Sequence, residues 1–284
     1  MKKEKVSIII PIYNGEQYLE KLIKKIKEQD RNFELELIAL VSISKDNSLE
    51  EAKRYFDKVI EVQKFNHAKT RHEGALKSTG DILVFITQDI LPYDNQWLKK
   101  LIEPLKENIV ASFSRQIAYK EHSEIEKIIR DFNYPNIDRI CNKENKKING
   151  RKNIFYSDAS SAIIKDRYFE LGGYNTEVPT SEDVYLANKI IGSGYSFIYA
   201  SKSRIWHSHQ LSLKESYKRY KEIGKFEKLF ADQIDFSKTE SEGKNLLKYL
   251  IKELIKRKKI KELIYLPFDI GVRWMGYKMG GKIE

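Results

Sequence analysis

The chain has 284 residues, of which 41% are hydrophobic and 33% are charged; this composition is typical of a globular protein and excludes a disordered or membrane-spanning chain. Its formal net charge of +11 favours anionic partners, whether phosphorylated small molecules, acidic lipids or nucleic acid. The single cysteine, Cys141, excludes an internal disulfide and is compatible with a reducing cytosol.

The first 86 residues alternate between apolar runs and amphipathic segments. Strands are predicted at 6–11, 35–43, 58–62 and 82–86, and helices at 16–29, 48–56 and 65–78. Regular alternation of strand and helix is typical of a doubly wound sheet. We therefore predict an α/β fold with a mainly parallel central sheet and flanking helices.

The fourth of these strands ends next to a carboxylate. Residues 82–86 form a continuous apolar run, which fits a strand buried on both faces, and Asp89 follows it. Because ligands of open α/β sheets lie beyond the carboxyl ends of the strands, Asp89 is a candidate ligand for Mg²⁺ or Mn²⁺. The alternative from local sequence is that Asp89 caps the following helix.

The second half of the chain is less regular. Helices are predicted at 94–106, 123–132 and 182–191, and strands at 109–119, 160–164, 195–199 and 204–206. The segment 133–152 is polar, basic and weakly periodic, so we expect a long loop or a mobile insertion. Beyond Ser212 the chain is predicted to be helical and basic.

Five motifs occur in the order and spacing of a known family. They are Val6–Asn14, Phe65–Gly74 with its Asn66-His67 and Thr70-Arg71, Thr87–Pro92, Glu182-Asp183 and His207-Ser208-His209. On these motifs the chain resembles the inverting glycosyltransferases of family 2, which have the GT-A fold. It is most similar to the bacterial rhamnosyltransferases and related polysaccharide-assembly enzymes.

The resemblance implies a reaction and a domain organisation. A sugar is moved from a nucleotide diphosphate donor, dTDP-rhamnose or a UDP-sugar, to an acceptor hydroxyl in bacterial surface polysaccharide synthesis, with inversion at the anomeric carbon. Residues 1–210 are expected to form the catalytic domain, with a nucleotide-sugar-binding half at 1–105 and an acceptor half at 106–210. Residues 211–284 are expected to form a basic helical extension.

The resemblance also assigns a donor site. Its expected residues are Pro11, Tyr13, Asn14, Ser44, Asp46, His67, Arg71, Gln88 and Asp89. Arg71 is expected to hold a phosphate or to brace Asp89, with a plain surface arginine as the alternative. At the end of the second strand only Asp46 remains of the family's acidic residues, which leaves the choice between UDP and dTDP donors open.

The metal site follows from the same resemblance. Asp89 matches the second aspartate of the family's Asp-x-Asp motif, whereas Thr87 replaces the first. His207 and His209 match a late histidine that joins the metal or the diphosphate, and imidazole suits Mn²⁺ better than Mg²⁺. The alternative for the histidine pair is one buried and one exposed side chain in a strand.

Three further acidic residues are implied in catalysis. Asp183 matches the family's catalytic base, which removes the proton from the acceptor hydroxyl. Glu182 is expected to orient that base or to bind acceptor, although acidic residues also favour the first turn of a helix for structural reasons. Asp158 lies in a segment that borders the acceptor and the donor sugar in relatives, and an exposed strand edge is its alternative.

The C-terminal extension carries a separate expectation. Apolar residues at 246–255 recur on one helical face and are flanked by lysines, and aromatic residues follow up to 278. Such a helix either lies on an anionic membrane surface, where a lipid-linked acceptor would be found, or packs on the protein. The predicted location is the cytoplasm, with attachment to the inner face of the cell membrane and homodimerisation left open.

Two other functions remain as alternatives. The missing carboxylate at Thr87 and the altered 42–46 turn also fit a glycosyltransferase-like scaffold with impaired activity. The positive charge alone would fit a protein that binds nucleic acid or another anionic surface. No nucleic-acid recognition motif accompanies that charge, so no nucleic-acid partner is predicted.

Overall fold

A computed structural model describes residues 4–178 and 180–282 of the chain, which form two units. The first unit comprises the chain up to Arg115 together with Asn136–Asn149 and Asn153–His207. The second comprises Gln116–Pro135, Gly150–Lys152 and the chain from Ser208 onward. The second unit thus includes two short segments that the sequence places before residue 210, and the function of each unit stays a prediction.

Four parallel strands form the first part of the sheet. They are β1 (Lys5–Ile12), β2 (Glu34–Ser42), β3 (Lys58–Val62) and β4 (Ile82–Ile86), joined by α1 (Glu16–Lys27), α2 (Ser48–Tyr55) and α3 (His67–Lys77). The spatial order β3-β2-β1-β4 places β1 between β2 and β4, where Ile8 pairs with both Leu37 and Val84. The predicted α/β alternation is confirmed, and the carboxyl ends of the four strands meet at one edge.

Four further pairings in the sheet are antiparallel. β8 (Ser160–Ile164) pairs with β4 and with β6 (Ile109–Ile117), and β9 (Ser196–Trp206) pairs with β5 (Leu91–Pro92) and β7 (Arg139–Cys141). The sheet is therefore mixed. β6 also lies beside β9, and their contacts run in the same direction along both strands, from Asn108 with Ser196 to Ser114 with Ser203.

Helices cover both faces of the parallel strands. On one face, α1, α2 and α4 (Trp97–Ile102) pack against alternate residues of β1 and β4, among them Ile8, Ile10 and Val84. On the other face, α3 lies so close to the sheet that a Cβ at Gly74 would overlap the side chain of Ile9. Burial on both faces explains why these strands are continuously apolar instead of alternating.

Several elements of the first unit differ from the sequence prediction. The prediction of a loop at 133–152 is wrong, because this segment contains β7 and α6 (Lys146–Asn149) and leads into a 3₁₀ turn at Gly150–Ile154. The two strands expected at 195–199 and 204–206 are one strand, β9, and a short helix, α7 (Lys165–Glu170), follows β8. β7 has three residues, too few for a periodic pattern, and it is specified by its pairing with β9.

The helices of the second unit are α5 (Glu124–Asn133), α9 (Leu213–Leu229), α10 (Thr239–Lys256) and α11 (Ile260–Gly280). α9 begins at a capping box in which Ser212 and Glu215 each bond the other's backbone N–H. Leu250, Leu254 and Leu266 from the last two helices bury their side chains against isoleucines of α5. None of the helices within residues 4–178 and 180–282 is long and apolar enough to cross a membrane.

Glycines set the distance between α9 and α11. A Cβ at Gly224 would overlap the backbone of Tyr277, and one at Gly276 would overlap the backbone of Tyr217. At Gly280 the overlap would be with the carbonyl oxygen of Lys221. The two helices therefore touch through their backbones, which only residues without a side chain allow.

Candidate active site

Most of the predicted donor residues gather at the carboxyl edge of the parallel strands. A pocket of about 250 Å³ there is lined by residues that follow β1, β3 and β4. Six of the predicted donor residues line it: Pro11, Tyr13, His67, Arg71, Gln88 and Asp89. Since their positions in the sequence are spread over 79 residues, it is the parallel topology that brings them together.

Aromatic side chains form part of this pocket. Tyr13, Tyr18 and Phe65 all line it and expose their rings, with Tyr13 56% exposed. Tyr18 has no expected role from the sequence. Exposed rings beside a pocket of this volume offer flat surfaces on which a planar ligand group can stack.

Asn14, Ser44 and Asp46 do not line the pocket but link the loops beneath it. The backbone N–H of Asn14 donates to Ser44 Oγ at 3.0 Å, and Asn14 Oδ1 accepts from the N–H of Lys45 at 2.8 Å. Asp46 Oδ2 accepts from the N–H of Glu16 at 3.0 Å. These side chains fix the loop after β1 against the loop after β2, and their predicted contact with the donor stays a prediction.

Gln88 holds the backbone of Tyr13 with both ends of its amide. Its Oε1 accepts from the N–H of Tyr13 and its Nε2 donates to the carbonyl of Tyr13, each at 2.9 Å. A Cβ on Gly15 would overlap Gln88 Oε1, so glycine is required at that position for the contact. This clasp fixes the pocket wall and was not expected from the sequence, which assigned Gln88 to the donor alone.

Asp89 and His207 lie next to each other. Asp89 Oδ2 is 3.6 Å from His207 Nε2, and the histidine is buried. Asp89 lies in the turn between β4 and β5 instead of at a helix start, so the alternative of a helix cap is wrong. His209, the other predicted ligand, lies two residues further on, in the second unit, and its role stays a prediction.

The β5–β9 pairing holds this pair in place. Leu91 pairs with Trp206 and Pro92 with Ile205, so the residues just before β5 run alongside those just after β9. Asp89 and His207 are in those two positions. The β5–β9 pairing therefore brings the two side chains near each other.

Arg71 is buried and pairs with Glu182. Its Nη1 donates to Glu182 Oε1 at 2.9 Å and to the carbonyl of His67 at 3.2 Å. The alternative of a plain surface arginine is wrong, because Arg71 is 4% exposed, whereas its expected contact with a phosphate or with Asp89 stays a prediction. Desolvation, with Arg71 nearby, lowers the pKa of His67 to about 4, so His67 is neutral at physiological pH.

A second buried carboxylate, Asp158, belongs to the same network. Its Oδ1 accepts from Ser161 Oγ at 2.8 Å and its Oδ2 from the Tyr174 hydroxyl at 2.6 Å. Burial raises the pKa of Asp158 from 3.8 to about 6, with Arg71 opposing that rise and Glu182 adding to it. The alternative of an exposed strand edge is wrong, since Asp158 is 3% exposed.

Asp183 is in the first turn of α8 (Glu182–Gly192), next to Glu182. Burial raises the pKa of Asp183 well above its ordinary value, and the negative charges of Asp158 and Glu182 raise it further. Part of its side chain nevertheless stays accessible to solvent. An accessible carboxylate with a raised pKa is a stronger base, once deprotonated, than a carboxylate in water.

The structure also contains polar groups that the sequence did not indicate. Tyr174 follows two glycines of positive φ, Gly172 and Gly173, and this turn brings its hydroxyl to Asp158. No pattern in the sequence identifies the hydrogen-bond partner of Tyr174. A larger cavity, of about 730 Å³, lies near the amino ends of β1 and β4 and includes none of the predicted site residues.

Fold and site together define an α/β enzyme with its polar groups at the carboxyl edge of the sheet. The family model described as glycosyl transferase family 2 matches residues 7–172. The chain belongs to glycosyl transferase family 2, and the family predicted from the five motifs is confirmed.

Two relatives are similar over almost the whole chain. The O-antigen chain rhamnosyltransferase RfbN of Salmonella typhimurium is 28% identical over 284 residues, covering 97% of this chain and 89% of that protein. The O-antigen chain rhamnosyltransferase WbaN of Salmonella anatum is 27% identical over 282 residues, covering 96% and 88%.

Solved structures support the fold. The mannosyltransferase PcManGT from Pyrobaculum calidifontis, solved in complex with GDP-Man and Mn²⁺, superposes with a TM-score of 0.68. At 15% identity the match covers 99% of this chain and 86% of that one. The predicted GT-A fold is thereby confirmed.

Proposed function

We propose that this glycosyltransferase moves a sugar from a nucleotide diphosphate donor to a hydroxyl of a glycan, with inversion at the anomeric carbon. The observation that carries the proposal is a pair of polar atoms at the pocket. Arg71 Nε and Thr87 Oγ1 are buried, belong to residues that line the pocket, and have no hydrogen-bond partner among the described residues. A donor and a hydroxyl left without partners fit a polar, anionic ligand such as a diphosphate.

The residues at Asp89 fit a divalent cation. A carboxylate oxygen and an imidazole nitrogen 3.6 Å apart offer one hard ligand and one intermediate ligand, a set that suits Mn²⁺. Asp89 and His207 would hold the ion, with donor oxygens as further ligands. When bound, the ion would supply positive charge that stabilises the departing diphosphate.

Asp183 acts as the general base in this proposal. It takes the proton of the acceptor hydroxyl while that oxygen bonds to the anomeric carbon from the face opposite the diphosphate. The bond to the diphosphate breaks, and its electron pair leaves with the nucleotide. The buried carboxylates at Asp158 and Glu182 favour this transfer because they raise the proton affinity of Asp183.

The relatives narrow the proposed substrates. Both are named O-antigen chain rhamnosyltransferases, which supports dTDP-rhamnose as the first donor to test and a growing surface polysaccharide as the acceptor. UDP-sugars remain the second choice, since no acidic residue follows β2 until Asp46. The proposed acceptor is carried on a lipid, and the enzyme works at the inner face of the cell membrane.

The second candidate function is a glycosyltransferase-like scaffold with impaired activity. It is favoured by Thr87, which occupies the position of the first aspartate of the family's Asp-x-Asp motif. Thermal unfolding with dTDP-, UDP- and GDP-sugars, with and without Mn²⁺, tests donor binding, since a bound ligand raises the midpoint. Release of nucleotide diphosphate in the presence of acceptor tests turnover. A donor that stabilises the protein but is never turned over would support the scaffold.

Two variants test the roles proposed for Asp183 as the base and Asp89 as a metal ligand. Asp183→Asn is expected to keep the donor-induced midpoint shift and to lose at least about 100-fold in transfer, the loss typical of a missing general base. Asp89→Asn is expected to lose the Mn²⁺-dependent part of the shift. Asp166→Asn, which changes an exposed carboxylate, is the control. Equal transfer by Asp183→Asn and the native chain would remove Asp183 as the base.

A further inference from the structure

An apolar stripe runs along the exposed side of α11. Ile260, Ile264, Phe268, Met275 and Met279 are all exposed, with Ile264 at 68% and Phe268 at 65%. Their spacing of four, four, seven and four residues puts them on one side of an α-helix. The helix thus presents an exposed apolar stripe along one side.

The opposite side of α11 accounts for its packing. Leu266 is buried with residues of α5 and α10, and Gly276 and Gly280 touch the backbone of α9. The predicted apolar face at 246–255 also packs largely inward, through Leu250 and Leu254. The interior of the unit is therefore complete without the stripe, and the stripe is not needed to hold these helices together.

The stretch of chain that contains the stripe is strongly basic. Every lysine within residues 244–282 is exposed except Lys259, which is half-buried. The carboxylates of the same stretch, Glu253, Glu262 and Asp269, are half-buried or buried. Glu240 is exposed as well and pairs with Lys278 at 3.4 Å, but the lysines outnumber it, so the exposed charge of this stretch is positive and complements an anionic surface.

Trp274 and Tyr265 are exposed beside the stripe, Trp274 at 61%. Tryptophan and tyrosine are enriched where protein meets the headgroup region of a membrane, because their rings combine an apolar body with a polar tip. Apolar side chains, interfacial aromatics and lysines on one surface are the combination by which helices lie in a lipid interface.

We propose that this surface of α11 docks on anionic phospholipid, with the apolar stripe inserted among the acyl chains and the lysines at the phosphates. A second copy of the chain fits less well, since pairing two such surfaces would bring exposed lysines of like charge together. The surface does not depend on the proposed transfer reaction, because none of its residues belongs to the first unit.

Vesicle co-sedimentation of the full chain tests the proposal. The native chain is expected to sediment with phosphatidylcholine vesicles that contain phosphatidylglycerol, to bind pure phosphatidylcholine at least about tenfold more weakly, and to be released by salt. Ile264→Ser/Phe268→Ser is expected to weaken binding at least about tenfold. The matched control, Ile137→Ser/Ile148→Ser, changes two exposed isoleucines of the first unit and is expected to bind as the native chain does.

Fluorescence of Trp274 adds a site-specific readout. Emission is expected to shift to shorter wavelength with phosphatidylglycerol vesicles, and Trp274→Phe is expected to lose that shift. The Asp183→Asn variant is expected to bind vesicles normally, so a failure of catalysis and a failure of docking give different results.

Three results would overturn the proposal. One is no sedimentation of the native chain with phosphatidylglycerol vesicles at low salt, which would leave a protein as the partner. Another is equal vesicle binding by Ile264→Ser/Phe268→Ser and the native chain. The third is self-association without vesicles that this double variant abolishes, which would assign the stripe to a second copy.

Discussion

Arg71 and Glu182 form a buried ion pair across 111 residues of sequence, with 2.9 Å between Nη1 and Oε1. Arg71 belongs to α3 and Glu182 is the first residue of α8, so the pair fixes the start of one helix to the middle of another. Asp183 is the next residue. The position of the proposed base is therefore coupled to the helix that lines the donor pocket.

The two members of this pair are expected to depend on each other for stability. Removing either partner leaves a buried charge without its counterion, so Arg71→Met or Glu182→Leu should each cost about 3–5 kcal/mol in the free energy of unfolding. The double variant should cost clearly less than the sum, because neither charge is then left buried. Urea unfolding of the four proteins measures the coupling, and losses that simply add would contradict it.

The exposed pair of Arg54 and Glu51 provides the control. Its atoms are 2.7 Å apart, yet the arginine side chain is 69% exposed. Arg54→Met should hardly change the free energy of unfolding, because solvent screens an exposed pair.

Asp158 is expected to set the pH dependence of transfer. Asp183 must lose its proton to act as a base, so the rate should rise with pH along the acidic limb of the profile. The negative charge of Asp158 raises the pKa of Asp183. Removing that charge in Asp158→Asn lowers the pKa of Asp183 and should move the acidic limb to lower pH. Transfer rates measured across the pH range at saturating donor show the shift.

Asp166→Asn, an exposed carboxylate of α7, is the matched control for that profile and should leave the limb in place. An acidic limb that moves to higher pH in Asp158→Asn, or that stays where it is, would disprove the electrostatic coupling between the two aspartates.

Gly15 is expected to be essential for the shape of the pocket. In Gly15→Ala the new methyl group overlaps Gln88 Oε1, so the clasp on Tyr13 must open. The cost should be about 1–3 kcal/mol in stability, together with a higher donor KM. The comparison is with Gly243→Ala, where a Cβ meets nothing within 4 Å. A normal donor KM in Gly15→Ala would show that the clasp does not shape the pocket.

Two glycines of α11 should respond to alanine with opposite signs. Gly276→Ala forces a methyl group against the backbone of Tyr217 on α9, and should lower stability by about 1–3 kcal/mol. Gly271→Ala, in open space on the same helix, should raise stability by about 0.5–1 kcal/mol because alanine is the better helix former. Thermal unfolding of both variants measures the difference, and a loss at Gly271 would be inconsistent with a regular helix there.

The sequence predicts those residues of the site whose positions follow from the sheet topology, because a periodic pattern of strands and helices indicates that topology. Four strands that alternate with three helices imply a parallel sheet, and a parallel sheet brings Tyr13, His67 and Asp89 to one edge. The ion-pair partner of Arg71 could not be predicted from the strand–helix pattern. Glu182 is on a helix that no local pattern relates to α3. From the sequence alone, a phosphate, Asp89 and solvent were therefore all open as partners of the Arg71 guanidinium.

Short elements are also difficult to predict from local sequence. β7 consists of Arg139–Cys141 and exists because it pairs with β9, so a window of neighbouring residues does not contain the information. Gln88 is similar, since its amide matches a backbone segment 75 residues earlier. Contacts of this kind depend on the assembled fold.

The pairing of β5 with β9 limits which insertions keep Asp89 beside His207. Because Leu91 and Trp206 are opposite each other, the identity of the side chain beside Asp89 is decided by strand alignment. A slip of one residue would offer an indole or a hydroxyl where an imidazole now stands, and the pair would lose its nitrogen ligand. Insertions between Pro92 and Ile205 that preserve the alignment leave the pair intact, whereas a single residue added between Asp89 and Leu91 separates it.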